Sequence, residues 1–272
     1  MSNPSPIQEK ELLDTLPPSI RSRLAHQSYV VDDIGRSGST VLTFEDTVLK
    51  IEAFTPETEL TVQVMEWMAQ RLPAPRILDF VVSDDKSYLL MSRIPGKMSC
   101  DEVFLENPEP MVKLLAEGLK MLWRTDITGC PRERTILDDL ARARQKVSEG
   151  RVDPEVFAAE ADGFDSPESL LAWLETHVPE YDPVVCHGDY CMPNILLENG
   201  AVSGFIDLAH AGISDRCSDI YDCFWSLTAN FNGTFGGKVY EDFDPRSLFP
   251  HLGIDIDEDK LKFYQLLGAL LA

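Results

Sequence analysis

The sequence predicts an α+β protein of two lobes: a small antiparallel-sheet lobe over residues 1–95 and a larger, mainly helical lobe over residues 96–272. Three observations carry that prediction. Short β-rich runs separated by turn residues crowd the first third of the chain, whereas helical apolar periodicity dominates after Ser92-Arg93-Ile94-Pro95-Gly96. A late exception, Ile195–Leu197 and Val202–Ile206 flanking Asn199-Gly200, reads as a hairpin, since Asn-Gly suits a two-residue turn. Hydrophobic residues make up 44% of the 272, an ordinary share for a globular chain with a sizeable core.

Taken in order, Pro17–Gln27 has the spacing of a short amphipathic helix, and Tyr29–Asp33, Thr40–Phe44 and Thr47–Ile51 read as successive strands. Gly35-Arg36-Ser37-Gly38-Ser39 separates the first two. Such a loop can bend over a phosphate and offer it backbone N–H groups, and it is equally a common hairpin turn. It lacks the spacing of a P-loop. Lys50 on the third strand is either a solvent-facing residue of an alternating strand or a lysine placed to hold nucleotide phosphates. Pro56–Arg71 reads as a helix capped by Thr55, with Glu57 and Glu59 at its positive end and an apolar stripe of Leu60, Val64, Trp67 and Met68. Arg76–Ser83 and Lys86–Met91 form a hairpin about Asp84-Asp85. Beyond it, Pro108–Arg124, Leu137–Val147, Pro154–Asp162, Pro167–Val178, Asp215–Ala229 and Asp257–Ala272 read as helices, and Asn230–Asp244 as a loop rich in glycine and aromatic residues.

A net charge of −22 argues against nucleic acid or an anionic membrane as a partner, because both require a basic surface. The excess acid either solvates the surface or lines a site for a cationic substrate. No apolar run approaches the ~20 residues of a spanning helix, and the first residues, Met-Ser-Asn-Pro-Ser-Pro, lack the basic-then-apolar order of a signal peptide. A cytoplasmic location is expected. Six cysteines without any Cys-x-x-Cys pair fit free thiols in a reducing compartment. Cys186, His187 and Cys191 lack a second pair to complete a zinc site.

The chemistry concentrates between Val184 and Ile220. A short apolar run, Val184–Cys186, feeds a loop holding Asp189 and Asn194, and the Asn199-Gly200 hairpin returns Asp207 beside Asn194. An amide oxygen and a carboxylate then stand where they can share a divalent cation, with a second carboxylate nearby. The Gly/Ser loop, strand lysine and helix glutamate, followed by His187-Gly-Asp-x-x-x-x-Asn194 and Asp207, resemble the protein-kinase-like fold. Within it the chain is similar to the aminoglycoside O-phosphotransferase family, most closely its 3′-phosphotransferases, from about Asp33 to the C-terminus.

The resemblance implies phosphoryl transfer from ATP or GTP, with Mg²⁺, to a hydroxyl of a small cationic acceptor, an aminoglycoside first. By that resemblance Asp189 accepts the proton of, or orients, the attacking hydroxyl; Asn194 and Asp207 hold Mg²⁺. Lys50, oriented by Glu59, meets the α/β-phosphates; backbone near Ser37 covers the β-phosphate; backbone groups of Ser92 and Ile94 take the adenine edge; Glu160 and His210 face the substrate. A monomer or weak dimer is expected. The chain departs from the family pattern on the acceptor side: Ala158 and Ala159 stand where acidic residues are common, Gly268 and Ala269 replace Asp-Glu in the last helix, His210 replaces an arginine, and Val48 an adenine-stacking aromatic. These departures leave open a kinase of another polyhydroxy or amino metabolite. Two further readings are a metal-dependent hydrolase built on His187, Asp189, Asp207 and His210, and a non-catalytic nucleotide-binding relative.

Overall fold

The computed structural model describes residues 13–32 and 39–271. An antiparallel sheet of five strands comes first, in the order β1-β2-β3-β5-β4: β1 is Val30–Asp32, β2 Thr40–Thr43, β3 Thr47–Ala53, β4 Ile77–Ser83 and β5 Lys86–Ser92. Its register sets the two faces. Leu42 opposes Leu49, which opposes Leu90; all three are buried, under helix α1 (Pro18–Leu24) through Ile20 and Leu24. Each such leucine contributes about 1.5–3 kcal/mol on leaving water. One residue along, the row Val41–Lys50–Leu89 turns to the other face, so strand alternation alone aims Lys50 away from this small core. Asp84 and Asp85 both take positive φ at the β4–β5 turn, the conformation of a tight hairpin.

Helix α2 (Pro56–Ala69) follows β3. Pro56 occupies its first turn, and the Thr55 N–H donates to Thr58 Oγ1 at 3.1 Å. Val64, Met65, Trp67 and Met68 bury into the large core, which continues through the helical part of the chain. The helices there are α3 (Glu102–Leu105), α4 (Pro108–Trp123), α5 (Ile136–Ser148), α6 (Pro154–Glu160), α7 (Pro167–Thr176), α8 (Arg216–Phe231) and α9 (Glu258–Leu271). The expected helices are all present; those starting at Pro56, Pro108, Pro154 and Pro167 begin where expected, and the other ends move by one to three residues.

Strands persist after residue 96 more than the sequence suggests. β6 (Lys97–Met98) pairs with β8 (Ile195–Glu198), which forms the expected hairpin with β9 (Ala201–Phe205). Asn199 and Gly200 take φ 51° and 74° at its turn. β7 (Pro183–Cys186) pairs antiparallel with β10 (Gly212–Asp215). β6 and β10 are two and four residues long and pair with strands far away in sequence, so local pattern carries little trace of them. Among the described residues, no helix is long and apolar enough to cross a membrane. All six cysteines carry free thiols.

Candidate active site

The loop from His187 to Asn194 joins β7 to β8 and is held from beneath. Asp219, fully buried on α8, accepts the His187 N–H at Oδ2 (2.6 Å) and the Gly188 N–H at Oδ1 (2.8 Å). Burial pushes the Asp219 carboxyl upward, and these two N–H groups pull the other way. The buried His187 ring donates from Nε2 to Ile206 O at 2.9 Å and meets Tyr190 and Phe205 edge-on. His187 is therefore a brace between the two ends of the motif. Gly188 has φ 77°, and a Cβ there would lie 2.3 Å from His210 O, so this step requires glycine.

Tyr190 and Met192 point into the core. The Tyr190 hydroxyl donates to Leu115 O at 2.8 Å through the space left by Gly118, whose Cβ would collide with it. Met192 N donates to Ser226 Oγ, and Ser99 Oγ donates to Met192 O. With its neighbours fixed, Asp189 stands partly open, and Asn194 Nδ2 donates to both its backbone O and its Oδ2, each at 3.0 Å. That commits the amide nitrogen of Asn194 and leaves Oδ1 as the outward ligand atom. Ile206 N donates to Asn194 O at 2.9 Å, so the hairpin brings Asp207 beside Asn194 as its turn predicts. Asp207 is left-handed, φ 57° and ψ 57°, an unusual setting for a non-glycine residue.

Lys50 reaches this point from the sheet. Its Nζ lies 3.1 Å from Glu52 Oε2 and 3.6 Å from Asp207 Oδ1. Burial alone would lower its pKa; Asp207 and Glu52 together outweigh that and hold the ammonium above its ordinary value. The expected pairing with Glu59 is corrected here: Glu59 is exposed on α2, and Glu52, two residues along the same strand face, is the partner. Thr58, Thr61, Val62 and Met65 turn inward on α2, which carries Glu59 to the opposite side.

Ser92 closes β5; its N–H donates to Arg76 O and its Oγ accepts from Arg76 N. Ile94 packs against β9 at Gly204, where a Cβ would approach Ile94 Cγ2 at 2.7 Å. Among the described residues no acceptor meets the Ile94 N–H. Ser37 lies outside the described residues.

Beside Asp189 opens a cleft of ≈ 490 Å³ lined by Arg134, Asp139, Arg142, His210, Tyr221, Asp222 and Gly268 among others. That volume suits a drug-sized ligand. His210 is on it as expected; burial, then Arg134 and Arg142, lower its pKa. Glu160 is not on it, which corrects its expected place: Oε1 accepts from Trp225 Nε1 at 3.3 Å and Oε2 from Gln265 Nε2 at 3.0 Å, tying α6 to α8 and α9. Burial, with Asp219 and Asp189 alongside, raises Asp222 well above an ordinary carboxyl.

Four residues escaped the sequence reading: Arg132, Arg134, Arg142 and Asp222. Arg132 donates to Ala209 O at 2.7 Å, Ala211 O at 3.1 Å and Thr61 Oγ1 at 2.9 Å, clamping the turn after Asp207 to α2. The one available signal was a run of arginines, 132, 134, 142 and 144, in an otherwise acidic chain.

The model of the phosphotransferase enzyme family matches residues 21–248. The chain belongs to that family. It is 35% identical over 206 residues to an aminoglycoside 3′-phosphotransferase of Niallia circulans, covering 75% of this chain and 74% of the relative. The crystal structure of an aminoglycoside-3′-phosphotransferase of type VIII matches with a TM-score of 0.76 and 27% identity, over 93% of this chain and 96% of that one. Aminoglycoside phosphotransferase APH(3″)-Id from Streptomyces rimosus, in complex with ADP and streptomycin, shares the fold, with a TM-score of 0.73 and 24% identity over 92% and 95% of the chains. The phosphotransferase is thus a transferase with the two-lobed protein-kinase-like α+β fold.

Proposed function

We propose that this phosphotransferase moves the γ-phosphoryl group of ATP to a hydroxyl of an amino-bearing small molecule held beside Asp189, the aminoglycosides being the first acceptors to test. The sheet lobe to residue 95 holds the nucleotide, and the helical lobe from 96 holds the acceptor. One observation carries the reading: Lys50, Asp207, Asn194 and Asp189 form a single connected set that reaches the cleft at Asp189. ADP in the Streptomyces rimosus relative supports the nucleotide.

Transfer spreads charge over the phosphoryl oxygens, so positioning and neutralisation supply most of the catalysis. Lys50 neutralises phosphate. The backbone at Ser92 and Ile94 orients the base; the unmatched Ile94 N–H is a donor suited to a ring nitrogen. Asp189 takes the hydroxyl proton as oxygen attacks phosphorus and the bridge to the β-phosphate breaks. Its single open side toward the cleft favours that role.

The donor set also fits Mg²⁺. Asn194 Oδ1 and the half-exposed Asp207 carboxylate are hard oxygen donors, and Mg²⁺ commonly takes one or two carboxylates plus substrate phosphates. The absence, among the described residues, of any cluster of three or more His, Cys, Asp or Glu agrees with so sparse a protein shell. Bound there, Mg²⁺ would supply charge neutralisation.

Coupled detection of ADP release with kanamycin, streptomycin and hygromycin, together with resistance tests in bacterial cells, checks the reading. Acceptor-dependent ADP release is expected. ATP turnover without any acceptor dependence would refute it. Gly268 on the cleft wall favours a second reading, a kinase of another amino metabolite.

A further inference from the structure

The cleft beside Asp189 has a basic end. Arg134 and Arg142 both lie against one carboxylate oxygen, Asp139 Oδ1: Arg142 Nη1 donates to it at 3.1 Å, and Arg134 Nε stands 3.3 Å away. Asp139 is buried, so two guanidinium groups share one negative charge. The charge of Arg134 also acts on the carboxyls of Asp219 and Asp222, against the upward push of their burial. Arg142 therefore carries the unmatched charge. Its side chain is 51% exposed on the cleft, and among the described residues Nη1 is the one nitrogen matched to an acceptor. Arg134 Nε is buried against that Asp139 oxygen, and among the described residues no hydrogen bond engages Arg134 Nη1 or Nη2 on the cleft side. Unused guanidinium donors in a concave site favour an oxyanion, which the planar fork can hold through two parallel hydrogen bonds. Asp189 and Asp222 in the same cleft favour an ammonium group.

We infer that the acceptor of this enzyme carries an oxyanion, a carboxylate or a phosphate ester, that docks on Arg142 and Arg134 while its hydroxyl faces Asp189. The inference rests on the phosphotransferase reading above and sharpens its second form, from another amino metabolite to a hydroxylated amino compound that also bears an acid group, which the aminoglycosides lack.

Isothermal titration of the full chain, saturated with a non-hydrolysable ATP analogue, tests it. The probes are glucosamine, muramic acid and glucosamine 6-phosphate, which share an amino-sugar ring and differ by a carboxylate or a phosphate. At least one acidic probe is expected to bind tenfold or more tightly than glucosamine, and which one wins identifies the oxyanion. Arg142→Gln is expected to bring the three within about twofold of one another, with the affinity for the ATP analogue unchanged. Equal affinities in the wild type, no binding of any probe, or an acid preference that survives Arg142→Gln would overturn the inference. Failure of the phosphotransferase reading would show separately, as loss of binding of the ATP analogue to the wild type, with the acid preference still measurable without it.

Discussion

The Lys50 ammonium stands 3.6 Å from Asp207 Oδ1, so the middle strand of the sheet and the loop after the β8–β9 hairpin meet through one ion pair. Each member is also a proposed nucleotide contact, and the two substitutions should differ. Lys50→Ala is expected to raise the KM for ATP at least tenfold. Asp207→Ala is expected to weaken binding of Mg²⁺-ATP more than binding of ATP without metal. Fluorescence titration with and without Mg²⁺ separates them; unchanged affinity in both variants removes both assignments.

Asp189→Ala should leave nucleotide affinity within a few-fold of wild type and lower kcat at least a hundredfold, the scale of general-base catalysis. The Asp189 carbonyl still accepts from Asn194 Nδ2 in that variant, so the Asn194 amide keeps its orientation. Steady-state kinetics with the best acceptor decides, and a near-normal kcat would remove the role.

Asp222 predicts a pH-dependent stability. Its carboxyl is raised in the folded chain, chiefly by burial, so the folded state favours the protonated form more than the unfolded state does. Stability is thus lost as pH rises from the ordinary 3.8 through the raised value. Asp222→Asn is expected to raise Tm at neutral pH by about 2–4 °C, the equivalent of ~1 kcal/mol at this size. The gain should vanish as the pH falls toward 3.8. Calorimetric scans across that range check the sign.

Gly268 lies on the cleft wall, and a Cβ there would meet Tyr221 Cε1 at 3.4 Å, an ordinary contact. Gly268→Asp therefore adds a carboxylate without forcing the helix. The KM for kanamycin is expected to fall about tenfold, within the 1–3 kcal/mol of a charge-assisted hydrogen bond. An unchanged or higher KM rejects the prediction.

Arg132→Ala removes donors from two carbonyls and one hydroxyl at a nearly buried position. A loss of roughly 2–4 kcal/mol is expected, measured by the denaturant midpoint. Arg132→Lys should rescue little, because one ammonium cannot span the three acceptors.

The Asn194–Asp207 juxtaposition was legible because Asn199-Gly200 states the turn and hence the hairpin, whereas the one-residue register shift between Leu196 and Leu197 that completes it has no local signal. Lys50 was legible because strand alternation follows from spacing. Glu59 misled because an apolar stripe identifies one face of α2 without specifying how the helix is rolled against the sheet. Glu160 misled because position in a familiar pattern does not show that both its oxygens are already occupied. The arginines stayed hidden because side chains separated by up to ten residues converge only when the segment before α5 crosses Ile213.

Thr61 and Arg132 both hold the carbonyl of Ala209, two residues beyond Asp207. Helix α2 and the turn after Asp207 are thereby geared to each other through Arg132 and Thr61. A shift of α2 would therefore pull on the turn after Asp207 through Ala209, while the hydrogen bond from Ile206 N to Asn194 O keeps Asn194 and Asp207 in step.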